Sequence, residues 1–420
     1  MIAASRSTAA TGRAPMSSSL PPPDLAESAA LDEGPAARLF ARTLDHAVRR
    51  GASDIHVEPG ERGWRIRLRV DGALHEMPEP PAHLRDAFVT RVKVLARLDI
   101  AERRVPQDGR LRIKVAPSKI EDYRVSTLPT VHGEKLALRR LEALPPDLSL
   151  AALGFDAGQR PQVEAAIRAP HGLVLVTGPT GSGKTLSLYA FLQRLNERSR
   201  NLCTVEDPVE IQLAGVNQVG VREKTGLTFA TALKALLRQD PDVIMVGEIR
   251  DAATADVALK AAQTGHLVLA TLHSNDAPSA IGRLIDLGVA PCTLAAALRL
   301  VTAQRLVRRL CPHCRVPAPV APEALVAAGF TGEASTAGTP YAPCGCAACD
   351  GTGYRGRIGL HQIMPGSGAI LDLLSAGANR QAIARQAKDD GVASLRQAAL
   401  ARVFEGVTSL AEALAVTDPA

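Results

Sequence analysis

One stretch near the middle of the chain, Leu173-Val-Leu-Val-Thr-Gly-Pro-Thr-Gly-Ser-Gly-Lys-Thr185, restricts the fold more than any other. Its apolar, β-branched run from Leu173 to Thr177 reads as a buried strand. The run opens into Gly178-x-x-x-x-Gly183-Lys184-Thr185. From Leu186 to Asn196, Leu188, Phe191, Leu192 and Leu195 then share one helical face. Strand, glycine loop and helix form the context in which this spacing cradles phosphate. Across Gly178, Pro179, Thr180, Gly181, Ser182 and Gly183 the loop turns successive backbone N–H groups toward an anion, and the helix N-terminus adds partial positive charge. Lys184 then reaches the β- and γ-phosphates of a nucleoside triphosphate such as ATP, and the Thr185 hydroxyl holds Mg²⁺.

The 420 residues allow about two to four domains, and at 46 % hydrophobic content a sizeable core is possible. Aromatic residues make up only 3 %, so that core must be built from Leu, Val, Ile and Ala. The net charge of +6 permits an anionic partner without selecting nucleic acid, acidic lipid or protein. No apolar run approaches the roughly 18 residues of a membrane helix, and Met1-Ile-Ala-Ala-Ser-Arg lacks the apolar core of a signal peptide. These features predict a cytoplasmic chain, at most peripheral to a membrane. In a reducing compartment the seven cysteines read as metal ligands or free thiols rather than disulfides.

Residues 1–34, rich in Ser, Ala and Pro, read as a disordered leader. Residues 35–143 read as an α+β domain. It starts with a helix from Pro35 to Arg49, whose stripe is Leu39, Phe40, Leu44 and Val48. Trp64 to Val70 alternates strictly, with Trp64, Ile66, Leu68 and Val70 on one face and Arg65, Arg67 and Arg69 on the other. Such an arginine face is either solvated or offered to nucleotide phosphates. A helix is predicted over Ala82–Leu98, a loop over Asp99–Arg110, and strands near Leu111–Val115, Tyr123–Thr127 and Lys135–Leu141. Leu144-Pro-Pro-Asp147 reads as a linker.

Residues 148–310 alternate strands and helices, the pattern of a parallel α/β sheet. Strands are predicted at Asn201–Val205, Val243–Val246 and Leu267–Leu272. Helices are predicted at Phe229–Leu237, Asp251–Thr264, Ala277–Leu287 and Cys292–Leu310. Residues 311–357 hold Cys311-Pro-His-Cys314 and Cys346-Ala-Ala-Cys349, the spacing of a closed tetrathiolate Zn²⁺ site with a structural role. Cys344 could replace one member of the second pair, but Cys346 and Cys349 reproduce the spacing of the first. Residues 358–420 read as a helical part, with three small helices between about 368 and 416.

Hydrolysis needs a carboxylate at the water and positive charge at the developing oxyanion. Glu248 follows a buried apolar strand, where ligands are presented, and is the first choice. No aspartate ends the Val243–Val246 run, so Glu248 holds Mg²⁺ through water, acts as base, or does both. Glu206 and Glu210, at the end of another strand, compete for the base role. His266 and His273 flank the Leu267–Leu272 strand on opposite faces, and His273, at its C-terminal end, is the better phosphate sensor.

Together these residues resemble the ATPases of bacterial type II secretion and type IV pilus assembly, from about Ser53 to the C-terminus. Early family segments are matched by Ser53-Asp-Ile-His-Val-Glu-Pro59, Ile100–Arg110 and Ser126-Thr-Leu-Pro129. Gly178–Thr185 resembles the family's Walker A motif, Thr204–Glu210 its aspartate box, Val243–Asp251 its Walker B motif and Thr264–Asn275 its histidine box. Ala303–Cys314 and Cys346–Gly359 resemble its metal-binding element, and Asp390–Leu395 a weaker C-terminal segment. The resemblance implies a RecA-like P-loop core, a PAS-like N-terminal α+β domain, a small zinc-binding element and C-terminal helices. It implies ATP, Mg²⁺ and Zn²⁺ as cofactors and a homohexameric motor at the inner membrane, with sites near subunit boundaries. It brings Arg67 and Arg69 toward the phosphates. It names as partners an inner-membrane secretion or pilus platform protein and a membrane partner bearing a cytoplasmic domain, with acidic phospholipid as a further surface. The cysteine element favours the secretion and pilus-extension branches, because retraction ATPases lack it. Docking through the further N-terminal domain usual in secretion ATPases is not expected, since only the short leader is read before the helix at 35.

The implied function is an ATP hydrolase whose turnover drives pseudopilus assembly in type II secretion, with type IV pilus extension as the alternative. A hexameric nucleic-acid motor shares the phosphate loop, but the chain has no aromatic-interleaved basic patch for single strands, and no nucleic-acid partner is expected. A zinc-dependent adaptor that only binds ATP is a further rival, opposed by the presence of Lys184, Thr185 and Glu248.

Overall fold

The computed structural model describes residues 34–116, 119–141, 144–330 and 338–418. The expected leader, apart from Gly34, lies outside them, as does part of the segment between the cysteine pairs. The chain divides into two compact units, residues 1–142 and 143–420.

In the first unit α1 (Pro35–Arg49) precedes β1 (Asp54–Pro59), β2 (Trp64–Val70), β3 (Ala73–Glu76), α2 (Arg85–Leu95), β4 (Gln107–Ala116), β5 (Lys119–Thr130) and β6 (Gly133–Leu141). Pro35 starts α1 at a position where its missing N–H costs nothing. Phe40, Leu44 and Ala47 are buried at helical spacing against the sheet, whose order is β3-β2-β1-β6-β5-β4. Alternation sends Trp64, Ile66 and Leu68 into this core with Ile55, Val57, Leu136 and Leu138. Burying each such side chain contributes about 1.5–3 kcal/mol. Phe88 closes the core against Phe40 and Trp64, with ring centres 5.5 and 5.2 Å apart. Two expectations need correction. The helix expected at Ala82–Leu98 is a short 3₁₀ turn, Ala82–Leu84, followed by α2 ending at Leu95. The loop expected to reach Arg110 ends earlier, because Gln107 to Arg110 already pair with Thr127 to Arg124 of β5.

The second unit opens with α3 (Gln159–Ile167), β7 (Gly172–Thr177), α4 (Lys184–Leu195), β8 (Leu202–Glu206) and β9 (Asn217–Gly220). It continues with α5 (Phe229–Leu236), β10 (Val243–Val246), α6 (Ala252–Gln263), β11 (Leu267–Leu272), α7 (Ala277–Asp286) and α8 (Pro291–Ala297). Then come β12 (Leu298–Leu310), β13 (Val316–Pro317), α9 (Pro322–Ala327), β14 (Tyr341–Ala342) and β15 (Tyr354–Pro365). Helices α10 (Gly368–Ser375), α11 (Arg380–Asp389), α12 (Leu395–Phe404) and α13 (Leu410–Val416) close the chain. The sheet order is β15-β12-β7-β11-β10-β8-β9, parallel except at β15. Every residue of β7, β8, β10 and β11 is buried, as continuous apolar strands covered on both faces require.

The helix expected over Cys292–Leu310 is not formed: α8 stops at Ala297, and residues 298–310 are a strand between β7 and β15. Leu, Ala and Arg give this run a helical propensity that burial between two strands overrides. The C-terminal part expected to be helical from 358 begins instead inside β15, and it holds four helices where three were expected. No helix among the described residues is long and apolar enough to cross a membrane.

Candidate functional site

At the C-terminal end of β7 the chain leaves the sheet through Gly178 (φ +150°), Gly181 (φ +78°) and Gly183 (φ +86°) before entering α4 at Lys184. Glycine is required at the first of these. A Cβ on Gly178 would lie 2.5 Å from the Gln304 carbonyl and 2.6 Å from Ser182 Oγ. Gly183 is the N-cap of α4 and supplies no side-chain cap, whereas Asp251 and Asp276 cap α6 and α7. The first N–H groups of α4 therefore keep their capacity for an anion. Lys184 is nearly buried, and its Nζ donates to the carbonyls of Gly178 (2.9 Å) and Pro179 (3.0 Å). Burial lowers its pKa to about 8; the charge of Glu248 opposes that shift and the charge of Arg305 adds to it. Thr185 follows directly in the first turn of α4.

Glu248 stands just past β10. Its side chain is mostly buried, it pairs with Arg250, and one oxygen lies 3.8 Å from His273 Nε2. The loop carrying it is pinned: Gly247 N donates to Val205 O (2.8 Å) and Ile249 N to Thr271 O (2.9 Å). His273 follows β11. Burial and the Lys184 charge lower its pKa, while Glu248 and a hydrogen bond to the Gly178 backbone act in the opposite sense. Next in the chain, Ser274 ties this segment to β7: its N–H donates to Thr177 Oγ1 (2.9 Å), and the two hydroxyls lie 2.7 Å apart. Lys184, Glu248 and His273 thus converge from three parallel strands on the mouth of the glycine loop. His266, at the opposite end of β11, places its Nδ1 3.1 Å from Ala261 O and does not join them.

The two rival carboxylates separate. Glu206 is 3 % exposed, and its oxygens accept from Tyr189 Oη (2.5 Å), Thr204 Oγ1 (2.6 Å) and Gln218 Nε2 (3.0 Å). So held, it joins α4 to the edge of the sheet. Glu210 is exposed on the following loop.

Sequence reasoning missed Gln304 altogether, because it falls in the run misread as a helix. It is 2 % exposed on β12. Its Nε2 donates to Ser182 O (2.6 Å), and its Oε1 accepts from Ser187 Oγ (2.9 Å). The amide therefore braces the glycine loop and α4 together from the neighbouring strand.

The cysteines Cys311, Cys314, Cys346 and Cys349 bring their sulfurs within 4.8 Å of one another. Separations of 3.9, 3.8 and 3.8 Å between Cys311 and Cys346, Cys314 and Cys349, and Cys346 and Cys349 match a tetrahedron edge of about 3.8 Å, which follows from a Zn–S bond of about 2.3 Å. Cys344 is exposed and outside the group. The N–H groups of Cys346 (3.2 Å) and Gly353 (3.1 Å) point at Cys349 Sγ. Although burial alone would raise the Cys349 pKa, these donors and the neighbouring sulfurs lower it, while burial and the same neighbours push that of Cys314 up.

Arg67 and Arg69 belong to the first unit. Carboxylates of β1 meet them: Arg67 donates diagonally to Glu58 (2.8 Å), and Arg69 Nε lies 3.8 Å from Asp54 opposite it. Burial alone would raise the Glu58 carboxyl; hydrogen bonds from Arg67, Lys135 and Arg65 instead hold it down to about 2.

The chain is similar to known proteins along nearly its whole length. A family model described as type II/IV secretion system protein matches residues 29–415. The type IV pilus assembly ATPase PilB of Myxococcus xanthus is 46 % identical over 391 residues, covering 93 % of this chain and 69 % of its own length. Type II secretion system protein E of Aeromonas hydrophila is 46 % identical over 386 residues, covering 92 % and 76 %. Among solved structures, the pilus retraction motor PilT with bound ADP superposes with a TM-score of 0.58 at 25 % identity, over 90 % of this chain and 96 % of that one. The Legionella pneumophila ATPase DotB shares the fold, with a TM-score of 0.65 at 21 % identity over 90 % and 94 %.

Proposed function

We propose, for a chain that belongs to the type II/IV secretion system protein family, that it is the motor ATPase of type II protein secretion, driving pseudopilus assembly from the cytoplasmic face of the inner membrane. The single observation that carries this reading is the convergence of Lys184, Glu248 and His273 on an intact glycine loop, within a family match spanning nearly the whole chain. The chain is an ATPase. In the proposed site, residues 178–185 bind the phosphates of ATP, and the Thr185 hydroxyl holds Mg²⁺. Glu248 orients the attacking water and accepts its proton. His273, between Glu248 and the start of the loop, reports the terminal phosphate. Glu206, fully hydrogen-bonded, positions the strand end that carries Glu210. Zn²⁺ held by Cys311, Cys314, Cys346 and Cys349 would supply folding stability, since four thiolates leave no open position.

The working form in this reading is a homohexamer, with Arg67 and Arg69 exchanging Glu58 and Asp54 for nucleotide phosphates. An inner-membrane platform protein receives the force. Type IV pilus extension is the second reading, because relatives of both kinds match this chain equally well.

The test is ATP hydrolysis by the purified chain alone, with acidic phospholipid vesicles, and with single-stranded DNA, beside Lys184→Ala and Glu248→Gln. Turnover stimulated by lipid and not by DNA, lost in Lys184→Ala, is expected. Glu248→Gln should retain bound ATP while hydrolysing little; near-normal rates would move the base to Glu210. Stimulation by DNA alone would replace the secretion motor with a nucleic-acid motor.

A further inference from the structure

β12 lies beside β7 with Thr302 opposite Val176 and Ala303 opposite Thr177. Extending that register sets Gln304 and Arg305 alongside Gly178 and Pro179, where the phosphate loop begins. Alternation sends the two side chains to opposite faces. Gln304 goes behind the loop, to Ser182 and Ser187. Arg305 goes to the other side, toward the segment that follows His273. There its guanidinium donates to Gln304 O (3.3 Å), Asn275 O (3.1 Å) and Asn275 Oδ1 (3.4 Å).

Two other arginines of this unit are matched with carboxylates: Arg250 with Glu248 and Arg308 with Glu412. All the hydrogen bonds of Arg305 end on neutral oxygens. Burial lowers its pKa, and Asp418 and Asp276 offset this only as charges at longer range. Its own charge in turn disfavours protonated Lys184. Two cations therefore stand close enough to repel at the mouth of one glycine loop. Glu248 offsets this at Lys184, and a polyanion lying between the two cations would favour both charges further. A planar guanidinium is also the side chain best shaped to grip phosphate oxygens in pairs.

We infer that Arg305 is a second phosphate ligand of the nucleotide site, supplied by the same chain, which exchanges the Asn275 and Gln304 oxygens for the triphosphate tail. This rests on the reading of residues 178–185 as the phosphate cradle, and it adds a contact from a strand outside the family's nucleotide motifs quoted above.

Calorimetric titration of the full chain with ATP, AMP and inorganic tripolyphosphate tests it, using wild type, Arg305→Gln, Arg305→Lys and Lys184→Ala. Arg305→Gln should weaken ATP and tripolyphosphate binding about tenfold or more and leave AMP affinity within about twofold, as expected for lost charge-assisted bonds to the outer phosphates. Unchanged ATP affinity, or equal loss for ATP and AMP with tripolyphosphate unaffected, would overturn the inference. Should Arg305→Gln fail to fold, Arg305→Lys decides by the same comparison, because a lysine cannot reproduce the paired grip. If Lys184→Ala also keeps full ATP affinity, the cradle reading itself falls. If only the Lys184 variant loses affinity, Arg305 alone is wrongly assigned.

Discussion

Replacing Gln304 with leucine keeps the volume and removes both amide hydrogen bonds, so it isolates what the brace behind the phosphate loop contributes. The partners stay behind. Ser182 O loses its donor, and Ser187 Oγ, on a residue 2 % exposed, loses its acceptor. This is the costly kind of deletion, in which each stranded buried group forfeits about 1–3 kcal/mol. Two of them, less a little returned by the leucine methyls, give a loss of about 3 kcal/mol. At roughly 2–4 °C per kcal/mol the thermal midpoint should fall by roughly 6–12 °C. The functional effect follows from peptide geometry. In a trans peptide the carbonyl and the next N–H point in opposite directions, so holding Ser182 O on Gln304 aims the Gly183 N–H away from β12. Freed from that bond, the peptide can rotate, and ATP affinity should drop about tenfold, the cost of one misdirected donor at about 1.4 kcal/mol.

The assay is differential scanning calorimetry without nucleotide, followed by titration with ATP, on Gln304→Leu and Gln304→Glu. The glutamate keeps the acceptor for Ser187 but sets an oxygen against Ser182 O and adds negative charge behind the phosphates. It should match leucine in midpoint and exceed it in lost ATP affinity. A midpoint within 1 °C of wild type together with unchanged ATP affinity would refute the brace.

Two further outcomes follow from the site. Lys184 has its pKa lowered to about 8 while the loop holds no phosphate, and a bound triphosphate favours its charged form, so the complex holds more protons than the free chain. Raising the pH through 8 should therefore weaken ATP binding, by at most about tenfold per pH unit, and titrations in buffers of different ionisation enthalpy should register proton uptake near pH 8; absence of uptake would remove Lys184 from the phosphates. At the cysteine cluster, Cys311→Ser should abolish stoichiometric zinc and lower the midpoint of the local element, whereas Cys344→Ser should leave metal content intact, and a wild-type chain purified without any metal would refute the tetrathiolate reading.

What was legible in the sequence depended on whether local pattern and tertiary environment agreed. β7, the glycine loop and α4 were plain because an apolar strand, a fixed glycine spacing and an amphipathic helix all point the same way. The same held for β2, where strict alternation shows in Trp64, Ile66 and Leu68. The cysteine pairs were legible because their spacing is set by a sulfur tetrahedron and not by secondary structure. Residues 298–310 failed for the opposite reason. A strand buried on both faces shows no alternation, so Leu298, Leu300, Val301 and Ala303 carry no strand signal of their own, and only the neighbours β7 and β15 decide the matter. Gln304 and Arg305 were lost with it. The partners of Glu206 were hidden too, since Tyr189 and Gln218 are remote from it in the chain and meet it only across the finished fold.

That misread strand also explains why the separate parts of the second unit cannot vary independently. Gln304 fixes β12 to the phosphate loop. Four residues on, Arg308 pairs with Glu412 of α13 and stacks 4.1 Å from the Tyr354 ring on β15. Three residues further, Cys311 enters the sulfur cluster. A shift of one residue in β12 would turn Gln304 to the opposite face and withdraw Arg308 and Cys311 from their partners together. β15 holds the register from its other side. Gly359 sits opposite Leu306, and a Cβ there would come within 2.4 Å of Leu153 O, so the strand fits against that loop only with glycine at this point. The cysteine cluster thus clamps together the ends of β12, which lies beside β7, and of β15 on its far side. Its structural value lies in keeping β12 in the one register that places Gln304 behind Ser182.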